Sequence, residues 1–338
     1  ELTYEKKTEF NLGIDLGFLE NRINVAMDVY TRDNHDLIGT TRTQGVGGEI
    51  AKFANIASMK SHGFELSVSS NNIKTKDFSW NTDFIYSIYK NEVTDLNAIA
   101  TTMDYVSGTG FTMVGYPHRG LFSIPFAGLD SNGIPMFYNE KGEITSTDLS
   151  FQSSDDFSWL KYEGPTEPTF TGSLGNSFTY KNVHLNVFFT YSGGNVVRLD
   201  PVFSYRYSDL TATTREFKNR WMVPGDENRT NVPTILSYRQ YYENAELRNA
   251  YSAYNYSTER VAKGGFIRLK EISVAYDFPK KWLSALKVSN VSLKLQATNL
   301  CLLYADKKLN GQDPEFVNSG GVASPVPRQF TMTLRLGL

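Results

Sequence analysis

The residues of this chain best suited to recognition chemistry are aromatic and lie in its polar stretches. They are Trp159, Tyr162, Tyr205, Tyr207, Tyr238, Tyr241, Tyr242, Tyr251, Tyr254 and Tyr256. Flat rings with a polar rim can stack on sugar faces or fill pockets on a protein partner. The competing role is to pack these stretches against one another. Trp159, Tyr162, Tyr205, Tyr207, Tyr238, Tyr241, Tyr242 and Tyr254 are the candidates for contact with a ligand or partner.

Groups that could break or make bonds are sparse. Arg220, Trp221, Asp226 and Glu227 form one charged cluster, but Pro224-Gly225 marks a turn that Asp226 can cap, which gives the cluster a structural role. Asp155 and Asp156 are paired carboxylates. A glycosidase needs two carboxyls roughly 5–10 Å apart across a sugar, and adjacent loop residues are ordinarily just solvated. A loop calcium site would need spaced oxygen ligands that no motif here supplies. Cys301 stands alone, and His35, His62, His118 and His184 are scattered singly, so neither a disulfide nor a zinc centre is expected. No catalytic residue, metal site or cofactor is predicted, and the chain reads as a non-enzyme.

The elements that must position these residues are strands. The last ten residues alternate strictly, with Phe330, Met332, Leu334, Leu336 and Leu338 apolar between Gln329, Thr331, Thr333, Arg335 and Gly337. A strand sends successive side chains to opposite faces, so one face is apolar and the other polar. The same alternation recurs in Phe10–Phe18, Ile23–Val29, Phe64–Val68, Trp80–Ile88, Phe170–Tyr180, Val183–Tyr191, Ile272–Phe278 and Val291–Ala297. About nine strands of roughly 11–16 residues result, near the length a tilted strand needs to cross a bilayer. Asp15, Asp28, Glu65 and Arg335 fall on the polar faces, and Cys301 shares the apolar parity of Val291, Leu293 and Leu295.

The connections alternate between short, near 20–21, 72–76, 181–182 and 279–287, and long, near 34–57, 93–167, 199–263 and 304–327. Outer-membrane barrels have short periplasmic turns and long extracellular loops, and the parity leaves Leu338 at the periplasmic side. Leu121–Leu129 and Ile134–Tyr138 break this parity if counted as spans, so they are assigned to a hairpin inside the long 93–167 loop. Pro279 to Leu286 reads as one or two helical turns, with Pro279 at the first helical position and Trp282 at the membrane interface. No run approaches the roughly 18 apolar residues of a transmembrane helix. The aromatic content of 14% suits strands and interfacial girdles, and the net charge of −2 gives no reason to expect nucleic acid. An odd number of strands cannot close an antiparallel barrel, so preceding strands are expected outside this sequence.

Several phrases resemble the SusC/RagA group of TonB-dependent outer-membrane transporters. They are Phe126-Ala127-Gly128-Leu129-Asp130 with Gly133-Ile134-Pro135-Met136-Phe137-Tyr138, and Arg220-Trp221 with Pro224-Gly225-Asp226-Glu227 and Thr230-Asn231-Val232-Pro233. Phe266-Ile267-Arg268-Leu269-Lys270, Asn299-Leu300 and Gly311-Gln312-Asp313-Pro314-Glu315 complete the set. The closing strand fits as well, except that the family usually ends in an aromatic residue where Leu338 stands here.

The resemblance implies an all-β fold, with residues 1–338 the C-terminal portion of a large antiparallel transmembrane β-barrel with long extracellular loops. The plug and the N-terminal strands would lie outside this chain. It further implies TonB-dependent import of oligosaccharides or peptides across the outer membrane of a Gram-negative bacterium. The implied partners are a SusD-like surface lipoprotein, TonB through the absent N-terminal region, outer-membrane lipid, and a dimer of transporter–lipoprotein pairs. Two alternatives are a siderophore or cobalamin transporter and a soluble β-sandwich glycan-binding module. The second predicts loops of similar length at both ends.

Overall fold

The structure, a computed structural model, describes residues 2–153, 156–202, 213–283, 288–317 and 325–337. Nine strands form one antiparallel sheet in simple chain order. They are β1 (Lys6–Phe18), β2 (Ile23–Arg42), β3 (Ala51–Lys74), β4 (Phe78–Leu96), β5 (Phe170–Tyr180), β6 (Val183–Gly193), β7 (Phe266–Asp277), β8 (Asn290–Ala305) and β9 (Gln329–Gly337). A meander in chain order puts alternate connections at opposite edges. The short ones therefore share one edge and the long ones the other, as the alternation of lengths predicts.

The register carries the face assignment across the whole sheet. Leu16, Val25, Val68, Phe84, Leu174, Phe189, Leu269 and Cys301 are successive cross-strand partners from β1 to β8. On the other face run Ser177, Asn186, Ser273, Gln296 and Thr331 from β5 to β9. A one-residue slip at any ladder would exchange the two faces, so the continuity of both rows fixes the register. No second large sheet covers the apolar face among the described residues. Phe330 is 75% exposed and Met332 71%.

Several boundaries differ from the expectation. The first turn holds four residues rather than two, and Leu19, Glu20 and Asn21 all adopt positive φ. The expected loop at 34–57 is mostly strand. A bulge after Asn34, with Asp36 at φ 57°, interrupts the ladder, which then resumes and pairs Arg42 with Ala51. The sequence of 31–42 hid this extension because polar side chains fall on both faces of the strand, so the alternation is lost there. Lys181-Asn182 is the two-residue turn expected. Helix α4 (Lys280–Leu283) follows Pro279, and its Trp282 is exposed. Residues 284–287 and Leu338 lie outside the described part.

Candidate functional site

The long connections fold into one mass at one edge of the sheet. Residues 97–169 contribute helix α1 (Thr102–Val106), started by a capping box between Thr101 and Asp104. Short strands Gly120–Ser123 and Lys161–Pro165 pair with each other, as do Phe126–Leu129 and Pro135–Tyr138. This places Leu121–Leu129 and Ile134–Tyr138 outside the nine-stranded sheet, as the parity requires. Residues 194–265 contribute the pair Val196–Arg198 and Val261–Lys263, helix α2 (Tyr238–Glu243) and helix α3 (Ala245–Asn255).

Aromatic rings hold this mass together. Tyr105 lies edge-on to Phe111 and Phe122, and Phe126 lies edge-on to both Phe137 and Tyr254, with centroids 5.2–5.8 Å apart. Edge contacts of this kind match the positive rim of one ring to the negative face of the next. Tyr162 packs on Tyr116 and Phe122, and burial pushes its phenol up to about 12.

Three arginines tie the loops to each other and to the sheet. Arg198 is buried and donates to Ser123 Oγ and to the carbonyls of Val106, Phe122 and Ser257 at 2.7–3.1 Å. Desolvation pulls its guanidinium down to about 10. Arg260 bonds Glu216 and the Asp200 carbonyl, while Asn310 and Gln312 reach the same two acidic residues. Arg268 on β7 grips both oxygens of Asp313 at 2.5 and 2.6 Å and Glu315 at 2.8 Å. One nitrogen, Nη2, makes all three of these contacts.

The phrases spread along the sequence converge here. Asp130 accepts from the amides of Asn132 and Ile134, closing the turn that carries Gly133. Gly133 has φ 75°, and a Cβ there would lie 2.5 Å from the Trp221 ring. Trp221 donates its indole N–H to Glu227, and Asp226 accepts from the amides of Met222 and Val223. The cluster of Arg220, Trp221, Asp226 and Glu227 is therefore a folded turn packed on the 126–138 hairpin.

Below the loops, on the polar side of β5, β6 and β7, lies an open cavity of about 610 Å³. Thr171, Thr190, Ser192 and Lys270 line its wall, and Thr166, Asn195 and Glu315 its upper rim. The aromatic candidates divide by burial. Tyr254 is 2% exposed, and Trp159 and Tyr162 pack against the same core, so these three serve the loop interior. Tyr238 is 72% exposed and Tyr242 49%, with rings 4.3 Å apart, and Tyr241 stands edge-on to Tyr242. Tyr205, Tyr207 and Asp155 lie outside the described residues. Asp156 accepts from Ser158. No group of three metal-ligating side chains assembles among the described residues. Sequence reasoning missed Arg198 and the cavity residues Asn195 and Lys270, because no local pattern marks a side chain whose partners are 60 or more residues away, as Arg198's are from Phe122.

No protein-family model matches the chain. It is 28% identical over 369 residues to the TonB-dependent receptor SusC of Bacteroides thetaiotaomicron, covering 100% of this chain and 32% of that protein. It is 26% identical over 339 residues to the TonB-dependent receptor P3 of Formosa agariphila, covering 93% of this chain and 31% of that protein. The solved structure of the RagAB peptide importer in its open-open state matches with a TM-score of 0.75 at 21% identity, covering 100% of this chain and 35% of that one. The chain spans about a third of the length of the relatives it matches.

Proposed function

We propose that this chain, whose homologues are TonB-dependent receptors with SusC among them, forms part of the barrel wall of an outer-membrane importer. The longer protein would take up oligosaccharides or peptides with energy supplied through TonB. A SusD-like lipoprotein would cover the extracellular mouth, in a dimer of transporter–lipoprotein pairs. Its work is binding and gated passage rather than bond chemistry. The observation that carries this reading is the one-sided apolar face that runs from β1 to β8 and that no second large sheet covers among the described residues. Such a face needs a hydrocarbon solvent, and a sheet edge needs further strands to close it. Residues 1–338 would supply wall, polar lumenal surface and extracellular loops, with the plug elsewhere in the longer protein.

The exposed tyrosines of α2 supply an aromatic surface on the loop side for cargo or lipoprotein. The test is purification of the full-length protein from outer membranes. Retention of a surface lipoprotein, and TonB-dependent uptake of a labelled oligosaccharide or peptide, are the expected results. Uptake confined to iron chelates or cobalamin would replace the cargo class and leave the barrel standing. A soluble, detergent-independent product would sink the whole reading.

A further inference from the structure

We infer that the cavity beneath the loops is a carboxylate-binding subsite with Lys270 as its anchor. The inference rests on the import reading and names a chemical feature of the cargo. Lys270 is the extra residue of a bulge against β6, and on its other side it faces a bulge in β8, where Asn299 and Leu300 stand opposite it. Phe188 and Phe189 of β6 pair with Glu271 and Leu269, and on the other side Leu269 and Glu271 pair with Cys301 and Thr298 of β8. Bulges re-aim a side chain out of the regular alternation and are common beside binding sites. Here the residue set free lines the cavity and is half-buried.

A half-buried ammonium is costly without an anion. Among the described residues no carboxylate lies within ion-pair distance of Lys270, and Glu315, the acidic residue of the rim, is held by Arg268. Thr171, Thr190 and Ser192 line the same cavity. One cation and several hydroxyls match an oligomer that carries a carboxylate beside hydroxyl groups. A volume of about 610 Å³ is ample for the end of such an oligomer. A uronic-acid sugar and a peptide C-terminus share this chemistry.

The test compares two matched pairs on the full-length receptor with its lipoprotein: an oligogalacturonate against its methyl ester, and a peptide pool against its C-terminally amidated form. In at least one pair the free acid should bind on the order of tenfold tighter. Lys270→Gln should abolish that preference, and heat-modifiable migration of the variant shows that it is folded. Lys270→Arg should keep the preference. The pair that responds identifies the source of the carboxylate. Equal binding of acid and neutral members by the unaltered protein, or an equal loss of both in Lys270→Gln, overturns this inference and leaves the importer untouched. Binding of none of the four by the unaltered protein also overturns this inference, whereas the import reading falls only with a soluble, detergent-independent product.

Discussion

Arg268 and Asp313 stand 45 residues apart and meet in an ion pair, one Nη2 reaching both carboxylate oxygens at 2.5 and 2.6 Å, that fastens the loop after β8 to the polar face of β7. Both side chains are almost fully buried, at 6% and 8% exposure. The pair explains why Phe266-Ile267-Arg268 and Gly311-Gln312-Asp313 occur in one chain: each phrase supplies half of the contact.

Removing one partner leaves the other charge buried and unanswered, which costs about 3–5 kcal/mol. Arg268→Met should therefore free residues 306–317 for protease cleavage in the folded protein. The double variant Arg268→Met, Asp313→Asn should recover part of the loss. Limited proteolysis reads both, and an uncleaved loop in Arg268→Met would contradict the role given to the pair.

The two faces of the sheet make opposite demands on a charge. Leu295 and Gln296 are adjacent on β8, and their partners are Met332 and Thr331 on β9. Leu295→Lys should lose about 2–4 kcal/mol if it sits near the bilayer midplane, and Gln296→Lys far less. The yield of folded, heat-modifiable barrel in outer membranes separates them. Equal tolerance of both would remove the lipid from this face.

Tyr238 and Tyr254 are the same residue type 16 positions apart in very different places. Tyr254→Ala empties a ring-sized space in the loop interior and should cost about 3–5 kcal/mol. Tyr238→Ala should change stability by no more than about 0.5 kcal/mol. Any loss of cargo or lipoprotein affinity in Tyr238→Ala would then report contact rather than folding. Thermal unfolding and a pull-down on the same samples distinguish the two.

Acid should loosen the 221–227 turn. The Trp221 indole N–H holds the Glu227 carboxyl below its ordinary value of 4.5, with the Glu227 and Gly225 amides adding to the effect. A depressed carboxyl contributes stability that is present above pH 4.5 and is lost as pH falls through the lower folded value. Tryptophan fluorescence should show a transition in that range. Glu227→Gln should flatten it, and persistence of the transition in that variant would assign it to another group.

The wall was legible because period-2 alternation is a local property, and every ladder repeats it. Val183–Tyr191 shows its face assignment without reference to any other strand. The upper ends of β2 and β3 were not legible. Thr31 to Arg42 carries mostly polar side chains on both faces, so alternation vanishes although the backbone pairing continues. The site was legible as a set of phrases and opaque as a geometry. Nothing near Tyr254 says that Phe126 will meet its ring, and nothing near Lys270 says that the β6 ladder will skip it. Such facts arise from contacts between loops more than 70 residues apart, such as Arg198 with Ser123, which no window on the sequence spans.

The ribbon formed by β2 and β3 has a practical consequence. Its strands hold 20 and 24 residues, about twice the 9–11 that a bilayer requires. Gly45, Gly47 and Gly48 at its end have positive φ and open space where a side chain would project. In the proposed setting this is a stalk that rises beside the loop mass, which Arg42 meets at Asp104, and the glycines at its tip have open space around them. A short epitope spliced between Gly47 and Gly48 would be displayed to antibodies on living cells while the ladder below it stayed in register.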